Sequence, residues 1–188
     1  MRLPTLLLTL LAPLVALAEA QLGQPAPDFT LQTVAGATVK LADLKGKPVV
    51  LEFFNPGCPY VVKFYKPGAM QASQAKAAEL GATWILVSVN GKADALAKTA
   101  AEWKITAPIG LDSGSVGKAY GAKTTPHCFV IDASGNLVYK GAIDSIASTK
   151  SDDIEKAENH VLAALADLKA GRPVAKPSSK PYGCGVKY

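Results

Sequence analysis

The chain alternates between short apolar runs and amphipathic stretches. Residues 49–54 and 84–89 are almost wholly apolar, which is typical of strands buried on both faces of a sheet. The stretch between them, residues 59–80, predicts a helix, and Pro67-Gly68 predicts an interruption within it. Strands that alternate with helices in this way indicate an α/β fold.

The second half of the chain predicts helices at residues 93–104 and 116–120. It also predicts a short strand at residues 108–111 and a hairpin at residues 129–139. The last helix is predicted over Asp152–Lys169, where apolar residues recur with the 3.6-residue period and Gly171 follows. We therefore expect an α/β sandwich around a mixed sheet. In such sheets, reactive groups lie at the carboxyl ends of the central strands.

The first residues indicate a signal peptide. An apolar run, Leu3–Leu17, follows Arg2 and ends in the small-residue pattern Ala18-Glu19-Ala20. We expect residues 1–20 to be removed and the protein to be exported, either to a periplasm or out of the cell. An uncleaved membrane anchor is the alternative. Residues 21–170 then form one domain, and residues 171–188 form a tail with three prolines.

Charge and cysteine content narrow the function classes. The net charge is +5, but the lysines are scattered without a dense patch, which disfavours nucleic-acid binding. Contact with a membrane is expected only through an uncleaved leader. The three cysteines are Cys58, Cys128 and Cys184. Export would place them in an oxidising compartment, and their odd number leaves at least one without a partner in the chain.

Cys58 is the first candidate for chemistry. It lies between the strand at 49–54 and the following helix, where backbone amides and the helix dipole favour a thiolate. Glu52 stands inside that strand. A buried carboxyl has a raised pKa and can accept a proton from a nearby group, directly or through water. The alternatives are an inert cysteine and a Glu52 that turns outward or pairs with a lysine.

A second group of candidates lies near residue 126. The bond Thr125-Pro126 precedes a strand, and a cis peptide there would expose main-chain groups that can pair with an extended substrate. An ordinary trans turn is the alternative. Cys128 is expected in the core, and His127 should point to the opposite face of its strand.

Cys184 is the candidate partner of Cys58. It stands between two glycines in the tail, and about a dozen residues separate it from Gly171. A resolving thiol need not be near the attacking thiol in sequence. Apolar residues around it, among them Tyr182 and Tyr188, are typical of an anchored end, whereas the alternative is a frayed terminus with an incidental cysteine.

Several motifs together resemble the thioredoxin-fold redoxins, the superfamily of the alkyl hydroperoxide reductase and thiol-specific antioxidant proteins. Within this superfamily the sequence is more similar to a peroxiredoxin-like subgroup, both in the motif around Cys58 and in the last residues, 180–188. The residues that carry the resemblance are Gly23, Ala26-Pro27-Asp28-Phe29, Lys45-Gly46-Lys47, Glu52, Asn55, Cys58-Pro59-Tyr60-Val61, Lys63, Tyr65 and Thr125-Pro126.

The resemblance implies a thioredoxin-like three-layer α/β/α sandwich with a mixed central sheet. It implies that Cys58 matches the first cysteine of the CxxC pair of thioredoxin, that Glu52 matches its buried acid and that Pro126 matches its cis-proline. We expect the substrate to contact residues of these motifs, namely Asn55, Pro59, Lys63, Thr125 and Pro126.

Departures from the family pattern bear on the reaction. Val61 stands where thioredoxin has its second cysteine, so a CxxC dithiol is excluded. Asn55 and Leu51 replace the Thr or Ser and the Pro of true peroxiredoxins, and Arg172 is the only arginine after the leader. Because peroxide reduction relies on donors that stabilise developing negative charge, these departures favour disulfide exchange.

The predicted function is that of an exported thiol oxidoreductase with antioxidant or thiol–disulfide exchange activity, in which Cys58 attacks and Cys184 resolves. Its partners would be a protein or small-molecule disulfide or peroxide and an external thiol reductant, without a cofactor or metal. A thiol peroxidase of the peroxiredoxin type is one alternative. A protein that binds a soft metal through Cys58, Cys128, Cys184 and His127 is the other.

Overall fold

The computed structural model describes residues 19–188, which form nine strands and five α-helices. The strands are β1 (Thr30–Thr33), β2 (Thr38–Lys40), β3 (Val49–Phe53), β4 (Thr83–Val89), β5 (Ile109–Asp112), β6 (Thr124–Thr125), β7 (His127–Ile131), β8 (Leu137–Gly141) and β9 (Cys184–Gly185). The helices are α1 (Pro59–Tyr65), α2 (Ala69–Glu79), α3 (Ala93–Glu102), α4 (Ser115–Tyr120) and α5 (His160–Lys169).

Seven of the strands form one mixed sheet in the order β2-β1-β5-β4-β3-β7-β8. Strands β3, β4 and β5 are parallel neighbours, whereas β7 pairs with β3 in the antiparallel sense. All five residues of β3 are buried, as the apolar run predicts for a central strand. The carboxyl end of β3 leads directly to Cys58.

Two apolar clusters cover the two faces of this sheet, because successive side chains of a strand point to opposite faces. One cluster packs side chains of α1, α2, α3 and α5 on the sheet and includes Cys58 and Cys128. The other packs α4 and the segment before β3 on the opposite face. The predicted three-layer sandwich with a mixed sheet is therefore confirmed.

The helix predicted over residues 59–80 is two helices. Helix α1 ends at Tyr65, and α2 begins at Ala69 after Gly68, which has a φ of +85°. This interruption at Pro67-Gly68 follows the prediction, because proline lacks the amide that would continue the helix and glycine accepts a positive φ.

The prediction for the last helix is wrong in its first part. Helix α5 begins at His160, and only Ser151–Asp153 forms a short 3-10 turn before it. The main-chain amide of Ser145 donates to the carbonyl of Glu158 at 3.0 Å. Residues 158–159 therefore pair with residues 144–145 and do not continue the helix. The Asn159 side chain then accepts from the amide of Leu162 at 2.9 Å and caps the helix.

The predicted signal peptide falls almost wholly outside the described residues. The last two residues of that segment are described, and Ala20 is buried, with its amide donating to the Ala119 carbonyl at 2.8 Å. Within residues 19–188, no helix is both long enough and apolar enough to cross a membrane.

Candidate active site

Cys58 occupies the first turn after β3. The side chain of Asn55 accepts from the amide of Gly57 at 2.9 Å, and the carbonyl of Asn55 accepts from the amide of Cys58 at 3.0 Å. Cys58 is the N-cap residue of α1, and Pro59 is the first residue of that helix. The turn therefore fixes the thiol at the carboxyl end of a central strand and at the start of a helix, as predicted.

The thiol of Cys58 is enclosed by two other segments. Its Sγ donates to the carbonyl oxygen of Thr125 at 2.9 Å and accepts from the amide of Cys184 at 3.4 Å, and Cys58 is fully buried. Burial raises the pKa of this thiol, but hydrogen bonds from the side chain and the amide of Cys184 outweigh burial and lower the pKa below its ordinary value. The site therefore favours a thiolate at Cys58.

Strands β6 and β9 bring the tail to this thiol. They form a two-stranded antiparallel sheet in which Thr125 is the register partner of Cys184. The peptide bond Thr125-Pro126 is cis, one of the two conformations considered from the sequence. Gly183, with a φ of +145°, lies so close to Thr125 that a side chain there would overlap the Thr125 carbonyl. The main chain next to Pro126 thus pairs with an extended segment, and in this structure the segment is β9 of the same chain.

Residues on both sides of Cys184 anchor the tail. The Tyr182 hydroxyl donates to Asp144, and its ring meets the ring of Tyr60 edge to face at 5.6 Å. After Cys184, the Tyr188 hydroxyl donates to the carbonyl of Ala122 at 2.6 Å. The described tail is therefore docked, which excludes the frayed terminus for this structure. Cys184 itself is partly exposed, and burial followed by its hydrogen bond to Cys58 raises its pKa to about 11.

Glu52 is fully buried and has specific partners. Its Oε2 accepts from the Tyr65 hydroxyl at 2.8 Å and from Nε1 of Trp84 at 2.9 Å, while its Oε1 has no hydrogen-bond partner among residues 19–188. Burial raises the pKa of Glu52 to about 8, against the opposing effect of these two hydrogen bonds. Glu52 shares its sheet face with Cys128, its register partner, and therefore faces the cluster that holds Cys58.

Lys63 is buried in an ion pair with Asp144. Its ammonium group is buried, donates to Asp144 at 3.2 Å and to the carbonyl of Ile146 at 3.1 Å, and faces the Tyr182 ring at 5.7 Å. That Lys63 contacts the substrate stays a prediction. The ion pair holds Asp144, which in turn accepts from Tyr182 of the tail.

The other predicted contact residues lie around Cys58. Asn55 and Pro59 are exposed beside it, and Thr125, which precedes Pro126, lies against it through its carbonyl. An open groove of about 410 Å³ runs next to this point. Its lining includes Asn55, Pro56, Thr125, Gly185, Lys187 and Tyr188. That a substrate contacts these residues stays a prediction.

The structure does not assemble the soft-metal site. Cys128 is buried in the core, as predicted, and His127 points to the opposite face, with its ring 4.4 Å from that of Phe129. Burial, with help from Lys123 and Lys140, lowers the pKa of His127 to about 4. Among the described residues, no group of three or more His, Cys, Asp or Glu side chains is placed to hold a metal ion.

Sequence reasoning missed two partners at this site. Asp144 follows the last strand of the main sheet and carries no motif, so no sequence signal reveals that it links Lys63 to Tyr182. Trp84 had a signal, since a buried indole N–H needs an acceptor and Glu52 is the only acid in the neighbouring strand.

Comparison with known proteins agrees with this geometry. The model of the AhpC/TSA family matches residues 22–140, more than half of the chain. The protein belongs to the AhpC/TSA family. The match ends before the tail, so the placement of Cys184 rests on the contacts described above. The narrower resemblance to a peroxiredoxin-like subgroup stays a prediction.

Individual relatives include proteins named thiol-disulfide oxidoreductases. The thiol-disulfide oxidoreductase ResA of Bacillus cereus is 28% identical over 123 residues, which are 65% of this chain and 70% of ResA. An uncharacterised protein of Geobacillus kaustophilus has a TM-score of 0.73 at 28% identity, covering 89% of this chain and 92% of its own. The thioredoxin domain of a Bacteroides vulgatus thiol-disulfide oxidoreductase has a TM-score of 0.57 at 24% identity, covering 73% of this chain and 98% of that domain, and confirms the thioredoxin-like fold.

Proposed function

We propose that this AhpC/TSA family member is a thiol–disulfide oxidoreductase whose redox pair is Cys58 and Cys184. The observation that carries the proposal is the position of Cys184 in β9, where its main-chain amide lies 3.4 Å from Sγ of Cys58. Relatives named thiol-disulfide oxidoreductases support the reaction class.

Each step exchanges one disulfide for another. With the tail displaced, the Cys58 thiolate attacks one sulfur of a substrate disulfide, and the other sulfur leaves as a thiolate that takes up a proton. Cys184 loses its proton and attacks Cys58 Sγ, which forms the Cys58–Cys184 disulfide and releases the second substrate thiol. Two electrons thus pass to the substrate, and two equivalents of an external thiol return the enzyme to its reduced form.

The geometry favours this reaction over peroxide reduction. A peroxidase site needs a cation or donors aimed at the oxygen that leaves. The nearest candidate in sequence was Lys63, and its ammonium is bonded to Asp144 and Ile146. In this proposal Glu52 handles protons near Cys58, since its raised pKa of about 8 lies close to neutral pH.

We also propose export, which rests on the leader pattern of residues 1–20. An oxidising compartment would supply disulfide substrates and leave the Cys58–Cys184 pair to be reduced by a dedicated thiol donor.

A non-reducing peptide map after mild oxidation tests the redox pair directly. We expect a linked peptide of Cys58 and Cys184 and a free Cys128. Turnover of a small disulfide should fall at least 100-fold in Cys58→Ser, because the nucleophile is lost, whereas Cys184→Ser should accumulate the mixed disulfide at Cys58. Cys128→Ala is the matched control and should keep its turnover. Alkylated Cys58 and Cys184 after oxidation would overturn the proposal.

A further inference from the structure

The two cysteines of the proposed pair differ in how an outside molecule can reach them. Cys58 is fully buried beneath the tail, with the Thr125 carbonyl and the Cys184 amide against its sulfur. Cys184 lies in β9, partly exposed, and Gly185 beyond it is exposed. The tail therefore covers Cys58 and leaves Cys184 partly exposed.

A donor thiolate must reach the sulfur that it attacks. Cys184 is partly exposed in the docked tail, whereas Cys58 is fully buried and can be reached only after the tail has moved.

The chemistry of the leaving group points the same way. A sulfur leaves faster when its thiol has a lower pKa. Burial raises the pKa of Cys58, but hydrogen bonds from the side chain and the amide of Cys184 lower it, whereas the pKa of Cys184 is raised by burial and by Cys58. Cys58 is therefore the better leaving group and Cys184 the better target.

We propose that the external thiol reductant attacks Cys184, so that Cys58 leaves and the mixed disulfide with the donor is carried by the tail. The inference rests on the Cys58–Cys184 pair of the proposed function. It assigns Cys184 a second role, as the residue that meets the electron donor, while Cys58 stays the residue that meets the substrate.

The step balances without a further reactant. The donor thiolate RS⁻ forms a bond to Sγ of Cys184 as the Cys58–Cys184 bond breaks, and Cys58 leaves as a thiolate. A second donor thiolate then attacks the donor sulfur of the mixed disulfide. This releases RSSR and leaves Cys184 as a thiolate that takes up a proton. Two donor thiols are oxidised and one protein disulfide is reduced.

The test maps the first mixed disulfide. Oxidised full-length protein is mixed with glutathione as the probe thiol, quenched with acid within milliseconds to seconds, alkylated and digested for mass spectrometry. We expect the glutathione adduct on Cys184 at least ten times more often than on Cys58, with the alkyl group on Cys58. Extrapolation to zero time removes adducts that have moved by exchange between the two cysteines.

The same chain unfolded in denaturant is the control, because both sulfurs are then exposed. The preference for Cys184 should fall to within about threefold there, since only intrinsic reactivity remains. An adduct mainly on Cys58 in the folded protein, at zero time, would overturn the inference while leaving the redox pair intact. Failure to obtain the Cys58–Cys184 disulfide in the oxidised sample would instead overturn the proposed function.

Discussion

At the scale of single residues, Glu52 couples the stability of the protein to pH. Its pKa is raised from an ordinary value of 4.5 to about 8, chiefly by burial. Between these two values the folded protein keeps a proton that the unfolded chain has released. The folded state therefore binds more protons, and its stability falls as pH rises through this interval, by about 1.4 kcal/mol per pH unit.

Glu52→Gln should remove this dependence. The amide is neutral at every pH, and its oxygen can accept from Tyr65 and Trp84 as the carboxyl oxygen does. We expect the free energy of unfolding in urea to change with pH between 5 and 8 less steeply in Glu52→Gln than in the natural protein, by about 1.4 kcal/mol per unit. Glu79→Gln, at an exposed acid, is the control and should follow the natural slope. Equal slopes in all three proteins would contradict a proton held by Glu52.

The sequence predicted the burial of Glu52 but not its hydrogen-bond partners. Five apolar positions around one acid suffice to indicate burial. Tyr65 and Trp84 reach it from a helix and from the neighbouring parallel strand, and that pairing depends on the register between β3 and β4. Register is set by the whole sheet, so the residue pattern of one strand cannot reveal it.

At the scale of secondary-structure elements, β9 is two residues long yet decides where Cys184 lies. Two glycines flank the cysteine, and their surroundings differ. A side chain at residue 183 would overlap the carbonyl of Thr125 and stand 2.7 Å from its carbon, whereas nothing lies within 4 Å of a side chain at residue 185. Only Gly183 is required for the close approach of the tail to β6.

This contrast gives a matched pair of variants. Gly183→Ala should displace β9 and lower the equilibrium constant for the Cys58–Cys184 disulfide against glutathione at least tenfold, because Cys184 no longer lies over Cys58. Gly185→Ala should stay within about twofold, since the added methyl group meets open space. Both constants follow from the oxidised fraction in glutathione buffers of known ratio. Equal constants for the two variants would show that the β6–β9 pairing does not position Cys184.

Element predictions succeeded where local chemistry decides and failed where distant pairing does. The apolar run of β3 and the break at Pro67-Gly68 are local signals, and the structure confirms both. Residues 154–159 carry a helical period but pair through Glu158 and Asn159 with residues near Asp144, so long-range hydrogen bonds override the local pattern.

At the scale of the whole molecule, the proposed disulfide would join two distant points of the chain. Cys58 and Cys184 are 126 positions apart, and the loop between them contains most of the sheet. A cross-link over so long a loop reduces the conformational freedom of the unfolded chain. The oxidised protein should therefore be more stable than the reduced one.

We expect the gain in the free energy of unfolding to be about 2–5 kcal/mol. Urea unfolding of oxidised and reduced protein measures it, after a peptide map has verified the linkage. Cys184→Ser should show no difference between oxidising and reducing buffer. Coincident unfolding curves for verified oxidised and reduced samples would contradict the expectation.

The fold class was within reach of the sequence, because the alternation of strands and helices indicates an α/β sandwich and the family motifs imply the thioredoxin-like form of it. The docking of the tail was predicted only as a possibility. Its anchors, Tyr182 and Tyr188, contact Asp144 and Ala122, which belong to separate loops and come together only in the finished fold.

The pairing of β9 with β6 makes the tail a tethered competitor of any polypeptide that would bind β6 as an extended strand. A polypeptide substrate that binds as an extended strand needs the main chain of Thr125, which the tail already occupies. A tethered segment acts at a local concentration on the order of millimolar, so a free peptide with the same intrinsic affinity, present at micromolar concentration, occupies the site about one-thousandth as often. A protein substrate that binds at β6 would thus be selected by how strongly it displaces residues 183–185.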